Sequence, residues 1–437
     1  MNATIEEVTG WLQQQRWFGS KGVPITKVEV LERLSLPSTD GTSAEATVVQ
    51  VSYVLGTPER YLVFLERTPE GQLRDALEDP AVARAVLAFA REGRSLPVGT
   101  QTVRSEPVGN GARVLAALPR EPSVRALGVE QSNTSLVFED QVLLKILRKL
   151  EVGLSPEVEM GRFLATHGYT ATPQLLSALT LEGPSASAVA LAYAFVPNQG
   201  DGWAYLTAAL RSAPEPGPEV LDRLERLGTR VGALHRVLAS DPSDPAFAPE
   251  PVLLEDLQLW SSSIVGELGV TLAKAAERFP GLAERQDALT TRAKALASLA
   301  PSGQKIRLHG DLHLAQALWT GDDWMVIDFE GEPARPFAAR REKHTPLRDV
   351  AGMLRSFAYA AAVELPPERR RRAVASARTA FLQGWRSAVE GTGLLPASEA
   401  DTRVMLDVLE LEKTLYELRY ELQMRPDWAH IPAEALA

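Results

Sequence analysis

Cysteine is absent from all 437 residues, which excludes disulfides and zinc–thiolate sites and is compatible with a reducing compartment. Basic charge is in deficit: 46 Lys and Arg stand against 56 Asp and Glu, a net −10. Nucleic acid is therefore not an expected partner, because phosphate backbones are held by clustered Lys and Arg. Long hydrophobic runs are missing too. The longest, near residues 186–197, falls short of the ~20 residues that span a bilayer, so no membrane partner is expected. Residues 1–9 are polar and acidic, without the basic and apolar regions of a signal peptide. The expected location is the cytoplasm, and the sequons Asn2-Ala3-Thr4 and Asn133-Thr134-Ser135 read as chance matches. Neither a solenoid-type repeat nor a low-complexity tract is visible. What remains is an ordinary globular composition, 45% hydrophobic and 23% charged, in a chain long enough for two or three subdomains.

Residues 4–15 read as a helix that leads into Arg16-Trp17-Phe18-Gly19-Ser20-Lys21, a turn-like segment with adjacent aromatics. Strands are expected at 25–36, 46–55 and 60–66, where β-branched and other apolar residues recur, and a helix at 72–92. Residues 1–93 thus form a small cap subdomain. A β-rich lobe, 94–197, follows. In it Gly109-Asn110-Gly111 reads as a hairpin turn, 156–167 as a helix carrying Glu157 and Glu159, and 174–181 and 187–195 as strands. Residues 198–437 turn to long helices at 219–240, 254–279, 283–299, 350–363, 366–390 and 401–423. The expected class is α+β.

The sharpest chemical signal is His309-Gly310-Asp311-Leu312-His313-Leu314-Ala315-Gln316, followed by Asp328-Phe329-Glu330-Gly331. Strand-like residues precede each block, so both aspartates fall on turns that can face a common cleft. Phosphoryl transfer needs this inventory: one carboxylate to face the attacking hydroxyl and hard oxygen donors to hold Mg²⁺. Asp and Gly are also common in ordinary turns, and either aspartate alone would carry no weight.

The block resembles the catalytic loop of the aminoglycoside-phosphotransferase-like kinases, His-Gly-Asp-x-His-x-x-Asn followed by Ile-Asp-Phe/Trp-Glu. Gln316 departs from the usual Asn. With the longer Asp328-Phe329-Glu330-Gly331-Glu332-Pro333 stretch, it looks like the maltokinase branch. Arg16-Trp17-Phe18-Gly19-Ser20-Lys21, Glu130-Gln131-Ser132-Asn133-Thr134-Ser135, the segment from Pro346 to Phe357, and Tyr416-Glu417…Tyr420-Glu421…Arg425-Pro426-Asp427-Trp428 are similar to further blocks of that branch. The resemblance implies a bilobal eukaryotic-protein-kinase-like fold with an N-terminal cap, a β-rich nucleotide-binding lobe and a helical lobe. It implies transfer of the ATP γ-phosphate to the 1-hydroxyl of maltose, feeding α-glucan and glycogen synthesis.

By the same match Asp311 would be the catalytic base, and Gln316 and Asp328 would hold Mg²⁺, with Glu330 close by. Lys145 would contact the ATP phosphates, with Glu159 preferred over Glu157 as its helix partner. Gln131, Ser132, Asn133, Thr134 and Ser135 would cover the phosphates without a glycine, and adenine would lie against Ala192 to Phe195. On the residues alone, Lys145 also reads as a solvated strand residue and the polar loop as an ordinary turn. Asp349 reads either as a helix N-cap or as an anchor for the catalytic loop, and His235 as an interior histidine.

The sugar is expected against His313, Glu330, Glu417, Tyr420 and Glu421. Apolar residues at 404, 408, 411, 415, 418 and 422 form a buried stripe, while Glu410, Glu417 and Glu421 share a neighbouring face. That face reads equally as solvated, with Lys413 paired to Glu410 or Glu417. Carboxylates around the acceptor also suit an amino sugar, so a glucosamine kinase is the alternative. A pseudokinase is disfavoured by the presence of both Asp311 and Asp328. The N-terminal cap is a candidate docking platform for a trehalose synthase, a partner that its composition does not demand.

Overall fold

The computed structural model describes residues 5–37, 43–128, 132–213 and 215–437. Asn2, Ala3, Thr4, Glu130 and Gln131, named above, lie outside the described residues. Two compact units emerge: Met1–Pro197 with Pro336–Ala338, and Asn198–Arg335 with Ala339–Ala437. The first is sheet-rich and the second helical, with a cap at the start of the chain, as the α+β expectation required.

Among the described residues the first unit holds two large antiparallel sheets and one two-stranded hairpin. One has seven strands in the order Ser95–Val98, Gln101–Pro107, Leu175–Glu182, Ser187–Ala194, Val142–Leu147, Asn133–Phe138 and Val124–Ala126. The other joins Ile25–Pro37, Ser43–Tyr53 and Glu59–Val63 to a last short strand, Lys149–Leu150, contributed from beyond residue 93. A single apolar core runs from Leu34, Val48, Leu62 and Phe89 of the cap to Leu144, Ile146, Leu179 and Ala192 of the larger sheet.

The Arg16–Lys21 signature has a structural role here. Trp17 and Phe18 are buried against Tyr61, with ring centroids 5.9 and 5.1 Å apart. The guanidinium of the fully buried Arg148 lies 4.9 Å from the Trp17 ring and pairs with Asp75. Glu59 accepts from Ser20, Tyr53, Tyr61 and Lys149 at 2.6–2.7 Å. These donors hold its carboxyl down at about 2 against the opposing effect of burial.

Two expectations fail for local reasons. Gly109–Gly111 opens the helix Gly111–Ala117 instead of closing a hairpin. Any side chain on Gly111 would collide with the backbone of Leu176, so glycine is needed there for close approach and not for a tight turn. The expected helix 72–92 starts only at Pro80, because Asp79 accepts from the Ala81 amide at 2.8 Å and Pro80 occupies the first helical turn. Leu73–Asp75 before it pairs with Leu65–Arg67 as a hairpin.

In the second unit the helices Pro218–Leu238 and Pro367–Val389 cross at glycines. A methyl on Gly228 would strike the Phe381 carbonyl, and one on Gly384 the Glu225 carbonyl, so the backbones pack directly. The expected helix 283–299 is broken into Pro280–Arg285, Gln286–Lys294 and Ala295–Ser298, of which only the middle piece is α-helical. Helix Gly202–Ser212, capped by Asp201, had no expectation. Helix Glu399–Met424 buries Val408, Leu411, Leu415 and Leu418 at the centre of the expected stripe. Among the described residues no helix is long and apolar enough to cross a membrane.

Candidate active site

The loop His309–Gln316 is fixed from behind by one buried carboxylate. Asp349 accepts the amides of His309 at 2.9 Å and Gly310 at 3.0 Å, and His235 Nε2 lies 3.2 Å from it. Trp385 Nε1 donates to His235 Nδ1 at 2.9 Å, so the proton of a neutral His235 sits on Nε2 and points to Asp349. Burial opposes the charged form of Asp349, but His235 and the Gly310 amide hold its carboxyl below the usual range. Asp349 lies inside the helix Leu347–Glu364 and does not cap it, which settles its role as an anchor. Two more residues of that helix meet the loop: Gly352 lets the Leu312 carbonyl approach, and Ser356 Oγ accepts from the Leu314 amide at 3.2 Å. Positions 349, 352 and 356 share one helical face, so a single helix sets the loop's course.

His309 ties the two aspartate turns together. Its Nε2 donates to the Ile327 carbonyl at 2.8 Å, next to Asp328, and its Nδ1 lies 3.4 Å from the Asp311 amide. Asp328 has φ +69°, a left-handed backbone that non-glycine residues seldom adopt. Gln316 Nε2 donates to Asp328 Oδ2 at 3.1 Å. The glutamine amide oxygen and the aspartate carboxylate are both hard donors of the kind Mg²⁺ takes, so this donor set fits the ion.

Asp311 opens onto a pocket of about 570 Å³, within the range of roughly 300–1,000 Å³ usual for small-molecule sites. Aromatic walls come from Trp203, Tyr359, Tyr416, Tyr420 and Trp428. Of the residues named for the sugar, His313, Glu417, Tyr420 and Glu421 line this pocket and Glu330 does not. Glu330 is half-buried on the turn after Asp328, with a carboxylate oxygen within 4.8 Å of one of Asp328.

The acidic helix face is not solvated: Glu417 and Glu421 are buried. Arg355 donates twice to Glu417 Oε2, at 2.9 and 2.7 Å, and Arg425 grips both oxygens of Glu421 at 2.9 and 2.6 Å. Burial raises the Glu417 carboxyl, with Arg355 pulling the other way. Lys413 pairs with neither Glu410 nor Glu417 as the helical spacing had suggested. Its Nζ reaches Asp311 Oδ1 at 3.1 Å and Glu332 Oε1 at 2.9 Å, while Glu410 pairs with Arg378. Burial works against the Asp311 anion, yet Lys413 and then His313 hold its carboxyl below the ordinary range. Sequence patterning did not place Lys413, Arg355 and Trp203 on this wall, because local spacing gives no sign of partners far along the chain.

In the first unit Lys145 is buried and donates to both oxygens of Glu157, at 3.0 and 3.1 Å. Tyr193 OH adds a bond to Glu157 Oε1 at 2.9 Å. The preference for Glu159 was therefore mistaken. Residues two apart on a helix point about 200° apart, and it is Glu157 that turns inward while Glu159 stays half-exposed. Glu157→Gln is expected to destabilise the chain by about 3 kcal/mol, because it removes the charge of the buried carboxylate to which Lys145 donates twice. A denaturant titration indistinguishable from wild type would contradict the pairing.

The expected phosphate loop is partly strand. Asn133, Thr134 and Ser135 begin Asn133–Phe138, Ser135 is buried opposite Lys145, and the Thr134 hydroxyl accepts from Arg148 at 2.8 Å. Ser132 is exposed just before the strand. Ala192 is buried in mid-sheet, paired to Leu144 and Ser177, so its backbone is committed to its neighbours. Phe195 lies past the strand end and gives its N–H to Gln141 at 2.8 Å.

Residues 123–388 match the phosphotransferase enzyme family, and the chain belongs to that family. Residues 11–93 match the maltokinase N-terminal cap domain. Among curated relatives, a glucosamine kinase of Mycolicibacterium smegmatis is 27% identical over 323 residues, 71% of this chain and 78% of that protein. A glucosamine kinase of Streptacidiphilus jiangxiensis is 27% identical over 328 residues, covering 70% and 71%. Among solved structures, a glucosamine kinase in complex with glucosamine, ADP and inorganic phosphate superposes with a TM-score of 0.71 at 22% identity. That superposition covers 96% of this chain and 95% of the other, which establishes the kinase-like fold.

Proposed function

We propose that the chain is an ATP-dependent sugar kinase that phosphorylates maltose at its 1-hydroxyl, giving maltose 1-phosphate for α-glucan and glycogen synthesis in the cytoplasm. The observation that carries this reading is the aromatic pocket with the Asp311 carboxylate on its wall. Aromatic faces suit the apolar faces of sugar rings, and the volume leaves room beyond one hexose. The maltokinase-type cap at residues 11–93 favours the disaccharide.

Asp311 orients the acceptor hydroxyl and receives its proton as the sugar oxygen bonds to the γ-phosphorus and the bond to ADP breaks. Such transfers pass through a loose transition state, so positioning outweighs basicity, which suits a carboxyl held below its ordinary range. Gln316 and Asp328 would hold Mg²⁺, which would neutralise charge on the phosphates. Lys145, kept in place by Glu157, would contact the phosphates, with Ser132 nearby. The segment past Ala194, beginning at Phe195, would border adenine.

Glucosamine is the second reading, favoured by the names of the relatives. ADP release with Mg²⁺–ATP and maltose, glucosamine, glucose or kanamycin in parallel tests both. Maltose-dependent release is expected. Release with glucosamine alone would sink the maltose reading, and ATP binding with no release on any acceptor would point to a pseudokinase.

A further inference from the structure

The acceptor pocket brings its own cations. Its three lining carboxylates are Asp311, Glu417 and Glu421, and each already has a partner: Lys413, Arg355 and Arg425 respectively. Among the described residues no lining acid is left for a cationic ligand to neutralise. Asp311 is the one that faces the acceptor hydroxyl in the reading above, on which this inference rests.

The Lys413 ammonium is held from several sides. Asp311 Oδ1 lies at 3.1 Å, Glu332 Oε1 at 2.9 Å, and the Tyr416 ring centroid at 4.4 Å. Glu332 is buried, so moving Lys413 away would leave that carboxylate with Arg335 at 3.5 Å as its remaining ion-pair partner among the described residues. This accounts for Glu332, part of the extended stretch after Asp328 to which the metal site and base give no role. Asp311 lines the pocket, and its Oδ2 has His313 Nε2 at 3.9 Å, beyond hydrogen-bonding distance. On Glu417 both Arg355 bonds fall on Oε2, which leaves Oε1 for a neutral hydroxyl.

We infer that Lys413 is the specificity-determining residue of this pocket: its ammonium stands between Asp311 and Glu332 where a cationic sugar would seek its counter-charge, so acceptors without positive charge are selected. The selection works by like-charge repulsion built into the site. Lys413 also positions Asp311, since anchoring Oδ1 fixes which oxygen meets the acceptor.

Glucose and glucosamine form the sharpest probe pair, because they differ at one carbon in whether a charge is present. In wild type, glucosamine is expected to bind at least about tenfold more weakly than glucose by calorimetry. Lys413→Met should lower turnover with every acceptor and narrow that ratio by about tenfold, whereas Lys413→Arg should keep it. Circular dichroism melts of both variants establish that they fold, and the wild-type comparison stands without any variant.

Glucosamine binding as tightly as glucose in wild type would overturn the inference. So would an unchanged ratio in a folded Lys413→Met protein. If glucose is phosphorylated and maltose is not, the maltose reading fails while the charge selection survives. If maltose is turned over but the ratio ignores Lys413, the reverse holds.

Discussion

Asp311→Asn is expected to lower sugar phosphorylation by roughly 10²–10⁴-fold, the usual contribution of a positioned proton acceptor, while leaving Mg²⁺–ATP affinity nearly unchanged. Asparagine keeps the shape of the side chain and can still accept from Lys413, so the loop should hold. What it loses is the anion proposed to align the attacking hydroxyl and take its proton. Steady-state kinetics alongside nucleotide calorimetry separates the two, and near-normal turnover would overturn the assignment. The pH profile gives an independent view. Burial by itself would push the Asp311 carboxyl up, but Lys413 and His313 outweigh it and hold it below the ordinary value. A depressed carboxyl keeps its anion, and the benefit of that anion, as pH falls through the usual carboxylate range. The acid limb of kcat/KM is therefore expected below that range, and a limb at or above it would contradict the Lys413–Asp311 pairing.

Asp349→Ala should cost at least about 3 kcal/mol of stability, because it strands buried amides and the His235 N–H without an acceptor. Activity should fall further than stability explains, since the amides of His309 and Gly310 are the ones that Asp349 aligns. Denaturant unfolding gives the first quantity. Turnover measured on the folded fraction at low temperature gives the second. A variant that unfolds like wild type would show that the loop is held by other contacts. A variant that loses stability but keeps full turnover would confine Asp349 to the core.

Much of this was legible because chemistry and periodicity were written locally. The His309–Gln316 block and the Asp328 turn carry their donors within a few residues of one another, and the structure joins them through His309 and Gln316. Helix Glu399–Met424 announced its buried side by spacing alone. The errors arose where a long-range partner decides. Lys413 sits among glutamates that suit it at helical spacing, yet its ammonium goes to Asp311 and Glu332. Glu157 and Glu159 are indistinguishable until the helix phase fixes which one turns toward Lys145. Gly111 imitates a turn residue but is there for a neighbouring backbone, and a sequence does not show its own neighbours across a sheet. The Thr134 hydroxyl accepts from Arg148, a partner that its polar neighbours in the chain do not reveal.

The strand Lys149–Leu150 follows the Lys145 strand by only one residue and closes the cap's sheet against Glu59–Val63. Together with the shared apolar core, this makes the cap and the Lys145 sheet one cooperative folding unit. Their slow-exchanging amides should open in the same unfolding event, with no intermediate in which residues 11–93 are melted and Lys145 is still in place. Natural variation in the cap's interior would then reach the rest of the enzyme as altered abundance before any change in substrate preference.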